Sequence, residues 1–186
     1  TWYADVRPLS ITEPNQVACD QQYPDKKAWF GALHIHTSAS YDASAFGVTR
    51  SVDDAYGFGA GKPVQLSLAG DPQYYRAPTL TISSPLDFMA VTDHAQALGE
   101  TKLCYAPNSA AYDKLVCRLF RGDLQLPLED TLQPLVRLAT LAIFGLDRSA
   151  RICGEDGARC REEARSVWQM NQRITEQWHD RSSDCE

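Results

Sequence analysis

A chain of 186 residues that is 44% hydrophobic and 23% charged has the composition of one globular domain with a sizeable core. No apolar run reaches the roughly 18 residues of a membrane span, and the most apolar segment, 138–146, is interrupted by Thr140 and Gly145. The net charge is −6 and there is no Lys/Arg-rich run, which excludes the basic face that a nucleic-acid partner requires.

In chain order, residues 1–26 read as an irregular arm, with Pro8, Pro14 and Pro24 spaced through polar sequence. Ala28 to Thr37, rich in aromatic and aliphatic residues, predicts a buried strand that ends on histidines. Ser51 is placed as the N-cap of a helix whose first turn carries Asp53 and Asp54, and Gly57, Gly59 and Gly61 are expected to stop it. A long connection over 62–86 has room for a hairpin around Thr79–Ile82. A second strand is predicted over Leu86–Thr92. Helices are expected over 109–121 and 130–143, the latter apolar almost all round and so buried. The strongest helix runs from Ala158 to Asp180, with Ala164, Val167, Trp168, Asn171, Ile174 and Trp178 recurring at steps of three and four. Strand, helix, strand and then helices predicts an α/β architecture. Two strands are too few to close a barrel, and the order reads as unfinished.

Six cysteines, at 19, 104, 117, 153, 160 and 185, form no Cys-x-x-Cys pair, so a zinc ribbon or redox centre is not indicated. An even count at loop-like spacing predicts disulfides and an oxidising compartment, secreted or periplasmic. Of the about fifteen possible connectivities, the spacing favours Cys104–Cys117 and one bridge among Cys153, Cys160 and Cys185. The chain opens at Thr1 without a leader, as after removal of a signal peptide or trimming.

The chemistry is concentrated at the two strand ends. Residues i and i+2 of a strand share a face, so His34 and His36 can reach one metal ion, while Ile35 points to the opposite face. Imidazole donors suit zinc, manganese or iron. Asp42 follows six residues later, far enough for the chain to turn and return a carboxylate. Thr37, Ser38 and Ser40 offer supporting hydroxyls. The second strand arrives apolar and then presents Asp93 and His94, charged chemistry that a core edge tolerates only when paired or metal-bound. Three of the four histidines thus lie at the ends of the two strongest strands. Glu100 is a possible further ligand. His179 belongs at a helix end on the surface, and the charges of Arg159, Arg161, Glu162, Glu163 and Arg165 form a solvated face.

Gly31-Ala-Leu-His-Ile-His-Thr-Ser-Ala-Ser-Tyr-Asp42 together with Asp87-Phe-Met-Ala-Val-Thr-Asp-His94 resembles the first two motifs of the PHP (polymerase and histidinol phosphatase) superfamily. The closer resemblance is to its branch labelled domain of unknown function 3604, through Val52-Asp-Asp-Ala-Tyr56, Pro85-Leu-Asp-Phe88 and the helix with Trp168. The resemblance implies a distorted (β/α)7 barrel, of which residues 27–186 are the N-terminal portion. It also implies a site of two or three divalent metal ions for phosphoester hydrolysis. Carried over, His34 and His36 match ligands of one metal, Asp42 and His94 match ligands of another, and Asp93 and Thr37 stand behind them. The remaining ligands of such a site, including a bridging Glu and a closing Asp-x-His, are implied on a C-terminal remainder of the same protein. The substrate is then a small-molecule phosphoester, and the catalytic acid has no counterpart here. Superfamily members usually carry Asp or Asn where Ala32 stands. Two other readings share these residues: an amidohydrolase-like enzyme cleaving C–N or C–O bonds, and a degenerate domain that binds without catalysis.

Overall fold

The computed structural model describes residues 28–65, 78–124, 126–144 and 149–179. The predicted arm 1–26, Cys19 and Cys185 lie outside them. Helices and strands are mixed in the order β1 (Gly31–Ile35), α1 (Tyr41–Ala45), α2 (Val52–Gly59), β2 (Val64–Gln65), β3 (Thr79–Leu80) and β4 (Phe88–Val91). These are followed by α3 (Leu98–Tyr105), α4 (Leu115–Arg121), α5 (Gln133–Phe144), α6 (Ala150–Cys153) and α7 (Ala158–Trp178).

β1 and β4 pair in parallel, with α1 and α2 in the connection between them. β2 and β3 form a small antiparallel pair in which Thr79 and Leu80 lie opposite Gln65 and Val64, so Thr79 stands in a strand paired with residues well before it and not in a hairpin centred on 79–82. The parallel register runs Gly31 to Phe88, Ala32 to Met89 and then Ile35 to Val91, so β1 carries one extra residue at Leu33–His34. Such a bulge re-aims side chains beside it. Gly31 permits the close approach of the two strands, since a Cβ there would lie 2.2 Å from the Phe88 carbonyl oxygen.

The core sits in the helical half. Phe120, Ile152, Cys104, Cys117, Cys153 and Cys160 are fully buried. Two disulfides, Cys104–Cys117 and Cys153–Cys160, tie α3 to α4 and α6 to α7. The first is the expected pairing, and the second lies within the expected trio. α7 packs along α3 and α2, where Trp178 donates to Asp53 and stacks on Tyr56.

Four expectations are corrected. β1 is largely exposed rather than buried, with Leu33 at 67% and Phe30, just before the strand, at 71%, because among the described residues β4 is its only strand neighbour. α2 is capped by Ser51 and Asp54 in a reciprocal box, as the sequence suggests, but it runs through Gly57 to Gly59. There the missing side chain makes room for Met89, whose Sδ would lie 2.2 Å from a Cβ at Gly59, and the helix stops before Gly61 at φ +84°. The helix expected from 109 begins only at Leu115: the Ser109 hydroxyl accepts from Ala111 N and donates to the Leu103 carbonyl, holding 109–114 in successive turns. α5 is not buried all round, since Leu135 is half exposed while the opposite face packs on α4 and α1. Trp168 is likewise 44% exposed on α7.

Candidate metal centre

The four side chains singled out in the sequence meet at one end of the β1–β4 pair. His34 and His36 lie at the end of β1, and their Nε2 atoms are 3.0 Å apart. The other ring nitrogen of His36, Nδ1, lies 2.8 Å from Asp42 Oδ2, and His94 Nε2 is 3.5 Å from the same oxygen. The His36 and His94 rings meet edge to face, with centroids 4.8 Å apart. His36, Asp42 and His94 are half-buried, whereas His34 is exposed.

The loop geometry explains how the chain reaches this arrangement. Asp93 stands one residue before His94, and its two oxygens accept from Thr37 N and Thr37 Oγ1, at 2.5 and 2.7 Å. That lock ties the end of β1 to the end of β4. Thr92 continues it, donating from its backbone to the Ile35 carbonyl and accepting from Ile35 N through its hydroxyl, where the bulge has displaced the ladder. Ser40 is fully buried and serves both sides: its oxygen accepts from His94 N at 2.9 Å and its hydroxyl donates to Asp42 Oδ1 at 2.6 Å. The chain after His94 turns through Ala97 in the left-handed region, φ 59°, before α3 begins.

Partial burial alone would raise the Asp42 carboxyl. Donation from Ser40, Ala43 N and His36 outweighs it and holds the group below its ordinary value. Asp42 Oδ2 is placed to accept from His36 Nδ1, the arrangement in which Nε2 is the ring nitrogen that faces His34 and would bind a metal. Two nitrogens bound to one ion at roughly 2.0–2.1 Å stand about 2.9–3.4 Å apart. The observed His34–His36 spacing therefore fits shared ligation, and the donor set of three imidazoles and a carboxylate suits zinc, manganese or iron.

Glu100 is placed elsewhere. It is buried in the first turn of α3, with Oε1 3.4 Å from Cys153 Sγ, in a group with Cys160 rather than with the histidines. His179 is exposed at the end of α7, as expected. Two participants were not singled out by the sequence. Tyr41 lies with its ring centroid 5.2 Å from that of His94, and its position between Ser40 and Asp42 could have flagged it. Arg137 on α5 donates to the Ser44 carbonyl at the end of α1, and no local pattern announces it.

Among known proteins, the family model described as "Protein of unknown function (DUF3604)" matches residues 23–183. No curated protein and no solved structure matches the chain.

Proposed function

The chain belongs to the DUF3604 family, and from that premise we propose that it is a divalent-metal hydrolase of the phosphoesterase type. The observation that carries this reading is the convergence of His34, His36, Asp42 and His94 from two strand ends and one helix, with the His34 and His36 Nε2 atoms at a spacing that fits shared ligation and His94 Nε2 3.5 Å from Asp42 Oδ2. His34 and His36 would hold one ion through Nε2, and Asp42 and His94 a second, with His36 Nδ1 bonded to Asp42 between them. Bound ions of this kind supply a water of lowered pKa and polarise the phosphoryl oxygen. Asp93 and Thr37 do not ligate in this scheme. They hold the two strand ends in register so that the imidazoles keep their spacing.

The scheme needs further ligands. We place them on a C-terminal remainder of the same protein, as in a PHP-type (β/α)7 barrel whose added strands would cover the exposed apolar faces of β1 and β4. Two disulfides in the helical half favour an oxidising compartment, secreted or periplasmic. No helix among the described residues is long and apolar enough to cross a membrane.

Metal content of the natively purified protein, followed by turnover of bis(p-nitrophenyl) phosphate and p-nitrophenyl phosphate, tests the reading. Two or three zinc, manganese or iron ions, and loss of turnover in His36→Ala with the fold intact, are the expected results. Full turnover in that variant would overturn the mechanism. Turnover of anilides or carboxylic esters alone would move the protein to amidohydrolase-like chemistry, and metal-free protein under metal-replete conditions would leave a binding domain.

A further inference from the structure

Asp42 is the one carboxylate of the cluster, and it rides on α1, a helix of five residues. So short a helix has little cooperative stability of its own and takes its position from what it is bonded to. Its last carbonyls also lack intrahelical partners. One of them, the carbonyl of Ser44, is the meeting point of donors from three directions. Gly47 N donates to it at 3.0 Å, the Tyr105 hydroxyl at 3.3 Å and Arg137 Nη2 at 2.9 Å. Arg137 Nη2 also donates to the Tyr105 oxygen at 3.1 Å, and its Nε donates to the Phe120 carbonyl at 2.7 Å. Phe120 is fully buried beside the Cys104–Cys117 disulfide. From the other side, the Ser44 hydroxyl donates to the Ser38 carbonyl at 2.7 Å, binding α1 back to the loop that follows His36.

We infer that Arg137 is a positioning residue for the metal cluster: its guanidinium fixes α1 to the disulfide-bound core and so sets where Asp42 stands against His36 and His94. The inference rests on the metal reading above. The geometry suits arginine in particular, because a planar fork can serve the Phe120 and Ser44 carbonyls at once, whereas a lysine offers a single nitrogen. Charge-assisted bonds to carbonyls are also among the stronger ones available. Burial holds the Tyr105 phenol above its ordinary range despite the opposing Arg137, so the hydroxyl stays protonated and able to donate. The same contact accounts for Arg137, the one charged residue of α5, being partly buried on that helix.

The test is zinc affinity by calorimetry and the visible spectrum of the cobalt-loaded full-length protein, for wild type, Arg137→Met, Tyr105→Phe and Leu138→Ala. Leu138 neighbours Arg137 on α5 and packs against the core with a side chain that can donate no hydrogen bond to the Ser44 carbonyl, so it reports the effect of loosening the packing without removing that bond. Arg137→Met is expected to lose about tenfold or more in zinc affinity, the usual scale for a residue that orients a ligand, with an altered cobalt band. Tyr105→Phe shifts both in the same direction by less. Leu138→Ala lowers the melting temperature and leaves the band unchanged. Equal losses in Arg137→Met and Leu138→Ala, or an unaltered band in Arg137→Met, would overturn the positioning role while leaving the metal reading intact. Should Arg137→Met not fold, an unaltered band in Tyr105→Phe overturns it instead. Failure of the wild type to bind zinc or cobalt would remove the metal reading itself, and this inference with it.

Discussion

Around Phe120 the chain buries a cluster of apolar side chains and crosslinks it with two disulfides, whereas around Leu33 it leaves a parallel strand pair with Phe30, Leu33 and Phe88 partly or largely in solvent. The first region holds the fold together and carries none of the clustered imidazoles. The second carries them, yet it is held mainly by polar contacts: Asp93 on Thr37, Thr92 on Ile35, Ser40 between Asp42 and His94. The packed core and the clustered imidazoles thus lie in different halves, joined through α1. Such a division leaves strand ends free to present polar groups that a close-packed core would exclude. It also means that the strand pair depends on neighbours for its placement, since parallel sheets ordinarily have both faces covered.

The sharpest way to break this comparison is to truncate one apolar residue in each half. Phe120→Ala should cost about 3–5 kcal/mol in urea unfolding, whereas Leu33→Ala should change stability by no more than about 0.5 kcal/mol. Similar losses at both positions would show that the face of β1 is covered and that the two halves are not different in kind. Next in size is the Cys104–Cys117 bridge, which closes a separation of 13 residues. Replacing both cysteines by alanine should cost about 3 kcal/mol on the loop-closure estimate, read as a fall in melting temperature. A loss of less than about 1 kcal/mol would remove the bridge from the account of the core. Third comes the polar fastening of the strand pair. Thr92→Val removes the acceptor of Ile35 N–H and should cost about 1 kcal/mol, with faster amide exchange at Ile35. Unchanged exchange there would mean that the bulge is held by something other than Thr92.

The parts of this arrangement that local chemistry controls were readable in the sequence. A His-x-His at a strand end shares a face by the period of a strand, Asp42 follows at a spacing that lets the chain return, and Asp93-His94 ends the second strand, which an α/β order sets on the same side as the first. Ser51 with Asp54 marked the start of α2 by a capping pattern, and the Cys104–Cys117 pairing by a loop-sized gap. What escaped was set by tertiary context. The bulge at Leu33–His34 depends on the Thr92 hydroxyl, 57 residues away from Ile35. The continuation of α2 through Gly59 depends on Met89 filling the space beside it. The exposure of β1 could not be inferred from its apolar composition, because burial is a property of neighbours rather than of the strand. Arg137 acts across 93 residues, and no periodicity on α5 distinguishes it from a surface charge.

The smallest expected effect is electrostatic and lies within the polar half. Partial burial raises the Asp42 carboxyl, but the donors Ser40, Ala43 N and His36 outweigh it, so its folded-state pKa lies below the ordinary 3.8. A depressed carboxylate favours the folded state while it is ionised. Its contribution is therefore fully present above the unfolded value and is lost as the pH falls through the folded one. Because Asp42 is only half-buried, solvent screening keeps the effect small. In metal-free protein with a chelator present, the stability advantage of wild type over Asp42→Asn should narrow as the pH falls below the unfolded carboxylate value. A difference that widened on acidification would mean that the buried, uncompensated carboxylate is the costly form. In that case the bonds from Ser40 and His36 would not be what holds α1 against the histidines, and the polar fastening attributed to the strand half would have to be sought in Asp93 and Thr37 alone.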